Sequence, residues 1–274
     1  MKLITFSRQL GSGGGEIAGQ VAEKLNYTLH DTQSIDNAAR EMGFLVSVEE
    51  IDEGKPSFFK RFFSQTPAIN RERLNSIIYQ LANQGNCVFL GRGGHVLLRE
   101  FSCALHLRVI ASPEKRIQNL VKRGYTEETA LKAMEQSDHE RAGFIKFAFG
   151  KNWNDPGLYD LVLNMDKITV GLAAESVAAI ARSQEIGVCA MSAIDTLAKL
   201  ALSSRAEAAI EETGLSYGPS TSVSIFVEQP GKVTLSGLVE NERSKTRAEE
   251  VIKGVKGVES VDNRIRIRPA DRHA

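Results

Sequence analysis

Leu3-Ile4-Thr5-Phe6-Ser7-Arg8-Gln9-Leu10-Gly11-Ser12-Gly13-Gly14-Gly15-Glu16-Ile17-Ala18 decides the fold of this chain. An apolar run gives way to a glycine-rich loop, and the loop opens a stretch whose apolar residues Ile17, Val21 and Leu25 recur at i, i+4 and i+8. Strand, glycine loop and helix in that order make a phosphate cradle. Glycines let backbone N–H groups crowd an anion, and the helix N-terminus adds partial positive charge. A full P-loop ends in Gly-Lys-Ser/Thr, whereas Gly14, Gly15 and Glu16 occupy that place here. The cradle is present and its lysine is not. The competing reading is a tight strand-to-helix turn with no ligand.

Composition narrows the field. A length of 274 residues suits one large domain or two, and 42% apolar with 25% charged residues is the make-up of an ordinary globular protein. The formal net charge is zero, so no overall field draws the chain to nucleic acid, and none is expected as a partner. Cys87, Cys103 and Cys189 have neither disulfide-framework nor metal-ligand spacing and read as buried thiols in a reducing compartment. The start runs straight into a strand without a signal-peptide plan, and no run approaches the ~20 apolar residues of a membrane span. A cytoplasmic location is expected.

Apolar runs at Leu3–Ser7, Cys87–Gly91, Ala104–Ala111 and Asp160–Asn164 alternate with helical periodicity, the pattern of an α/β doubly wound parallel sheet. Ser112-Pro113 starts one helix and Gly124 ends it. Thr126 with Glu127 and Glu128 caps a long one. The face Leu74, Ile77, Ile78, Leu81 within Asn70–Gln84 predicts an amphipathic helix packed on the sheet. Residues 1–184 form the first domain and 185–202 a helical linker. Residues 203–270 form a small α+β (αββαβ) domain with alternating Val223, Ile225, Val227 and Val233, Leu235, Val239.

Three places carry chemistry beyond the glycine loop. Asp31 stands where the second strand should end, a ligand edge of α/β folds or simply a helix N-cap. Arg92, between glycines at a strand exit, is placed to clamp phosphate bidentately; otherwise it is a loop arginine in a surface ion pair. Arg116 and Arg123 share one helix face, and Asp138 and Arg141 another, on helices whose other basic residues read as solvated.

With these motifs in order, residues 1 to about 180 resemble the cytidylate kinase-like branch of the nucleoside monophosphate kinases. The resemblance rests on Ile4–Ala18, Asp31-Thr32, Gly91-Arg92-Gly93, Ala111–Arg116, Asp138-x-x-Arg141 and Trp153–Asn164. It implies a P-loop fold with donor phosphates on Gly11, Ser12, Gly13, Gly14 and Gly15. The acceptor phosphate goes to Arg92, with Asp31 and Arg40 on the acceptor side, and a mobile lid carries Arg123, Asp138 and Arg141. The chain departs from the branch at three points: Gly15 where an arginine is common, Asn37 where cytidylate kinases carry a substrate-binding arginine, and Gly93 for the aspartate of Gly-Arg-Asp. Residues from about 203 to 268 resemble a BON domain, which implies a phospholipid or envelope ligand.

The leading expectation is ATP-dependent, Mg²⁺-assisted phosphoryl transfer to a pyrimidine nucleoside monophosphate such as CMP or dCMP. Arg8, Arg123 and Arg141 replace the absent lysine as catalytic cations, and no residue is assigned as a metal ligand. The alternative is a nucleotide-binding regulatory protein with degraded kinase activity, whose C-terminal module senses a ligand or a membrane.

Overall fold

The computed structural model describes residues 2–42, 67–216 and 221–268. They fall into two compact units: 2–40 with 84–190, and 41–42, 67–83 and 191–268 apart from 217–220.

The first unit is a parallel five-stranded sheet. Strands β1 (Leu3–Arg8), β2 (Thr28–His30), β3 (Cys87–Leu90), β4 (Ala104–Ile110) and β5 (Leu161–Asn164) stand in the order β2-β3-β1-β4-β5. In register, Leu3 of β1 faces Cys87 on one side and Ala104 on the other. Helix α1 (Gly14–Leu25) follows β1, and α2 (Thr32–Glu41) follows β2. The period of two in β1 sorts its side chains. Ile4 and Phe6 join Ile17 and Val21 of α1, Val88, Leu107 and Val109 in the apolar core. Thr5 and Ser7 face a buried polar layer instead. Thr5 Oγ1 lies 2.8 Å from His106 Nδ1, and Trp153 Nε1 donates to Ser7 Oγ at 2.7 Å. Arg108, itself buried, lies 4.0 Å over the Trp153 ring and donates to Asn154 Oδ1 at 2.7 Å. The Trp153–Asn164 motif thus builds one wall of the sheet, and strand polarity that is odd for a core becomes intelligible.

Helix α3 (Pro67–Asn83) precedes β3 in the chain, and the short α4 (Gly94–Leu97) follows it. Then come α5 (Pro113–Val121), capped by Ser112, and α6 (Glu127–Phe149), capped by Thr126 and ended at Gly150. Helix α7 (Val170–Arg182) closes the unit against α1. Cys103 and Cys189 are joined in a disulfide with Cα atoms 4.9 Å apart, and Cys87 stays outside it as a buried thiol. This corrects the expectation of three thiols. The two residues are 86 apart in sequence, so spacing carried no signal of a pairing that the fold brings about.

In the second unit, β6 (Ser222–Gln229) and β7 (Lys232–Val239) pair antiparallel. Helix α9 (Glu242–Lys253) carries the chain to β8 (Ser260–Ile267), parallel to β7. Val233, Leu235, Val239, Ala248, Ile252 and Ile265 form its core with Leu202, Ala206 and Ile210 of α8 (Met191–Thr213). Gly237 is required where it stands, because a Cβ there would overlap the Ser222 carbonyl of the neighbouring strand.

Helix α3 belongs to this unit. Arg205 donates to Gln80 at 2.6 Å and Arg73 pairs with Glu212, so the partner number climbs as the α3 number falls and the two helices run antiparallel. Leu74, Ile77 and Ile78 are buried as their spacing predicts, but α3 lies along α8 rather than on the sheet. An amphipathic stripe announces that a face is covered, not what covers it. Among the described residues no helix is long and apolar enough to cross a membrane.

Candidate functional site

The glycine loop leaves β1 at Arg8 and enters α1 through Gly13, which is left-handed at φ 83° and offers no side-chain cap. Its carbonyls are tied outward: Arg116 Nε donates to Leu10 O at 2.6 Å and Asn119 Nδ2 to Gly11 O at 2.9 Å. Gly11 is also left-handed, and a Cβ there would stand 2.8 Å from the Arg116 carbonyl oxygen. Among the described residues no side chain accepts from the first-turn amides of α1, as an anion site requires. Nucleotide phosphate fits this loop.

The structure also sets the register of the motif. Gly13 caps the helix, so the pattern Gly-x-x-x-x-Gly-Lys-Ser/Thr laid with its second glycine on Gly13 puts Arg8 at the first glycine. Gly14 then holds the lysine position and Gly15 the Ser/Thr position, one residue earlier than the sequence reading placed them. A Cβ on Gly14 would lie 2.6 Å from Arg8 Cβ, so the two positions have exchanged side chain for hydrogen. The lysine is missing because the arginine stem fills its space.

The Arg8 guanidinium reaches past Gly91, whose Cβ position it would overlap, into a cavity of about 240 Å³ lined also by Arg92, Glu140, Arg141, Phe144 and Trp153. Among the described residues no hydrogen bond or ion pair engages that guanidinium. Burial first, then Arg141 and Arg92, pull its pKa down to about 9 against the influence of Asp31, and it stays charged at neutral pH. Arg92 sits at φ 56° between left-handed Gly91 and Gly93, and its guanidinium lies 3.4 Å from Asp36. Burial draws it down to about 10, opposed by Asp36. Arg141 donates to the Arg8 carbonyl at 2.6 Å, so α6 is tied to the loop's first residue. His95, beside the same cavity, is pushed down to about 3 by burial, His106 and Arg108, and is neutral.

A second cavity of about 360 Å³ opens on the other side of the loop, lined by Ser12, Gly13, Lys115, Lys122, Arg123 and residues 165–170. Arg123 belongs here, paired with Glu16 and half exposed, and not with Arg8. Asp138 pairs with Arg116 at 2.8 Å rather than with Arg141, one ion pair that joins α5 to α6 beside the loop. Asp31 caps α2, accepting from Ser34 N at 2.9 Å. Arg40 is exposed, donates to Asn37 at 3.3 Å, and lines neither cavity. The sequence reading passed over Arg116 as a site residue. Its burial at 5% exposure was hidden in a run of basic residues that looks uniformly solvated.

Magnesium fits less well than nucleotide. The P-loop hydroxyl that meets the ion is replaced by Gly15, and Ser12 is buried with its hydroxyl turned to Gln9 O at 2.8 Å. Among the described residues no group of three His, Cys, Asp or Glu side chains is arranged for a metal.

The family profile described as cytidylate kinase-like matches residues 3–167, and the BON domain profile matches 200–269. No curated protein sequence matches the chain. An uncharacterized protein from Eubacterium ventriosum is similar in structure, with 25% identity, TM-score 0.53, and coverage of 66% of this chain and 97% of that one. Shikimate kinase from Bacteroides thetaiotaomicron is 13% identical at TM-score 0.40, covering 65% and 97%. Deoxyadenosine kinase from M. mycoides, with bound dATP, is 15% identical at TM-score 0.34, covering 66% and 100%.

Proposed function

Because the chain belongs to the cytidylate kinase-like family, we propose that it transfers the ATP γ-phosphoryl group to a pyrimidine nucleoside monophosphate of the CMP or dCMP type. The observation that carries this reading is the unengaged Arg8 guanidinium between the glycine loop and the arginine-lined cavity. Phosphoryl transfer asks for positioning and charge stabilisation rather than covalent chemistry, and a positive group aimed at the transfer point supplies both. The amides of Gly11 to Gly15 hold the donor phosphates, and Ser12 keeps the loop closed through Gln9. Arg92 binds the acceptor phosphate. Arg141 and Arg8 flank the transferring group, and Arg123 serves the donor side among Lys115 and Lys122. A divalent cation, when bound, neutralises phosphate charge; the loop's donor set does not fit one, so each role here rests on the chain's own cations.

ADP release measured across the nucleoside monophosphates tests the proposal. Turnover with CMP or dCMP is expected. Binding of ATP without turnover on any acceptor would replace it with the regulatory reading, which the loss of both the lysine and the Ser/Thr of the loop favours. Arg92→Ala is expected to raise the acceptor KM while leaving the ATP KM nearly unchanged, since a charged bidentate contact contributes roughly 1.5–3 kcal/mol, about 10- to 100-fold. Equal loss of affinity for both substrates would sink that assignment.

For the C-terminal module we propose a phospholipid or envelope ligand on the open sheet face. Exposed Leu238 lies opposite Arg266 there, and Phe226 is 52% exposed. Co-sedimentation with anionic vesicles, lost in Phe226→Ser/Leu238→Ser, is the expected result; a chain that stays in the supernatant refutes it.

A further inference from the structure

Resting on the reading that the glycine loop holds nucleotide phosphates, we propose that this site takes up nucleotide without magnesium, the chain supplying from its own arginines and lysines the charge that a metal-binding loop shares with the ion. Three observations converge. The position that presents a hydroxyl to the ion in a full P-loop is Gly15, and the loop's own hydroxyl, on Ser12, is buried and turned to Gln9 O.

The carboxylates around the loop are committed elsewhere. Asp31 caps α2, Glu16 pairs with Arg123, and Asp138 with Arg116. Magnesium asks for near-octahedral oxygen ligands and is held in most phosphate sites by one or two carboxylates or hydroxyls plus the phosphates. Two further carboxylates line the cavities and are engaged as well, Asp166 by Ser112 N at 2.7 Å and Glu140 by Gln136 Nε2 at 2.9 Å, so among the described residues each carboxylate beside the loop already has a partner.

The positive charge is present in its place. Arg8 and Arg141 stand on one side of the loop, and Lys115, Lys122 and Lys167 line the cavity on the other. A site built of cations gains more from a fully charged triphosphate than from one whose charge a metal has already halved, because the attraction scales with the product of the charges. The chain therefore has no reason to prefer the magnesium complex.

Titration calorimetry of the full chain with ATP, in EDTA and in excess Mg²⁺, tests this. The Kd in EDTA is expected to equal or undercut that in Mg²⁺. A Kd weaker in EDTA by about threefold or more overturns the proposal. Gly15→Ser is the second arm. A Cβ at Gly15 meets only Leu90 Cδ2, at 3.8 Å, so the hydroxyl is accommodated without strain. That variant is expected to acquire tighter binding in Mg²⁺ than in EDTA. If it stays indifferent to the ion, the missing hydroxyl is not the cause and the proposal fails. Absence of ATP binding in both arms of the wild type would instead remove the nucleotide reading, and this inference with it.

Discussion

Arg8→Ala is expected to lower kcat in the proposed nucleoside monophosphate phosphorylation at least about 10²-fold, as when one preorganised contact to developing charge is removed. ATP affinity falls far less, because the loop amides that hold the donor phosphates are backbone groups. Arg8→Lys restores part of the rate. An ammonium supplies the charge but not the planar fork, and it is a more strongly hydrated group to place beside Arg92 and Arg141. Steady-state kinetics with both substrates varied separates the outcomes. The opposing possibility is that Arg8 is a strut, holding α6 through the bond from Arg141 to its carbonyl. That bond uses backbone and survives the substitution, so a variant with full turnover and a lowered melting temperature would show that the side chain serves packing alone.

Gly14→Lys, which restores the lysine of a full P-loop, is expected to abolish nucleotide binding instead of improving it. Its Cβ would stand 2.6 Å from Arg8 Cβ and 3.2 Å from Val109 Cβ, and overpacking of this kind costs about 1–3 kcal/mol before the loop is displaced. Combined with Arg8→Gly, the same substitution finds its space vacated. The pair is expected to bind ATP again, an interaction free energy of about 1–3 kcal/mol between two contacting sites. Thermal shift with ATP reads the cycle. Additive effects of the two changes would mean that the positions have not exchanged roles.

Local pattern carried much of this fold. The strand-loop-helix of residues 3–25, the caps at Ser112 and Thr126, and the period-two strands of the C-terminal sheet are written in neighbouring residues, and neighbours are what a sequence displays. What the sequence displayed of the candidate site is backbone: the glycine loop that opens α1, and Arg92 between left-handed glycines. Where side chains meet across the fold, the sequence fell short. Nothing near Arg8 says that its stem occupies the place of residue 14. Arg123 and Asp138 carry the right charges, yet they turn to Glu16 and Arg116, which lie far off in the chain. Two expectations failed through distant partners: three thiols, where Cys103 meets Cys189, and a sheet-packed α3, where α8 covers it.

Helix α3 has one more consequence. By sequence it lies inside the stretch that matches the kinase-like family, yet it is packed with α8, which follows that stretch. The chain thus crosses from the first unit to the second, returns through Gly85 and Asn86 to β3, and crosses again before α8. A single cut cannot part the two. A gene shortened at the apparent boundary would leave Leu74, Ile77 and Ile78 bare, so truncation and recombination treat the halves as one inheritable piece, whatever the motifs suggest about two.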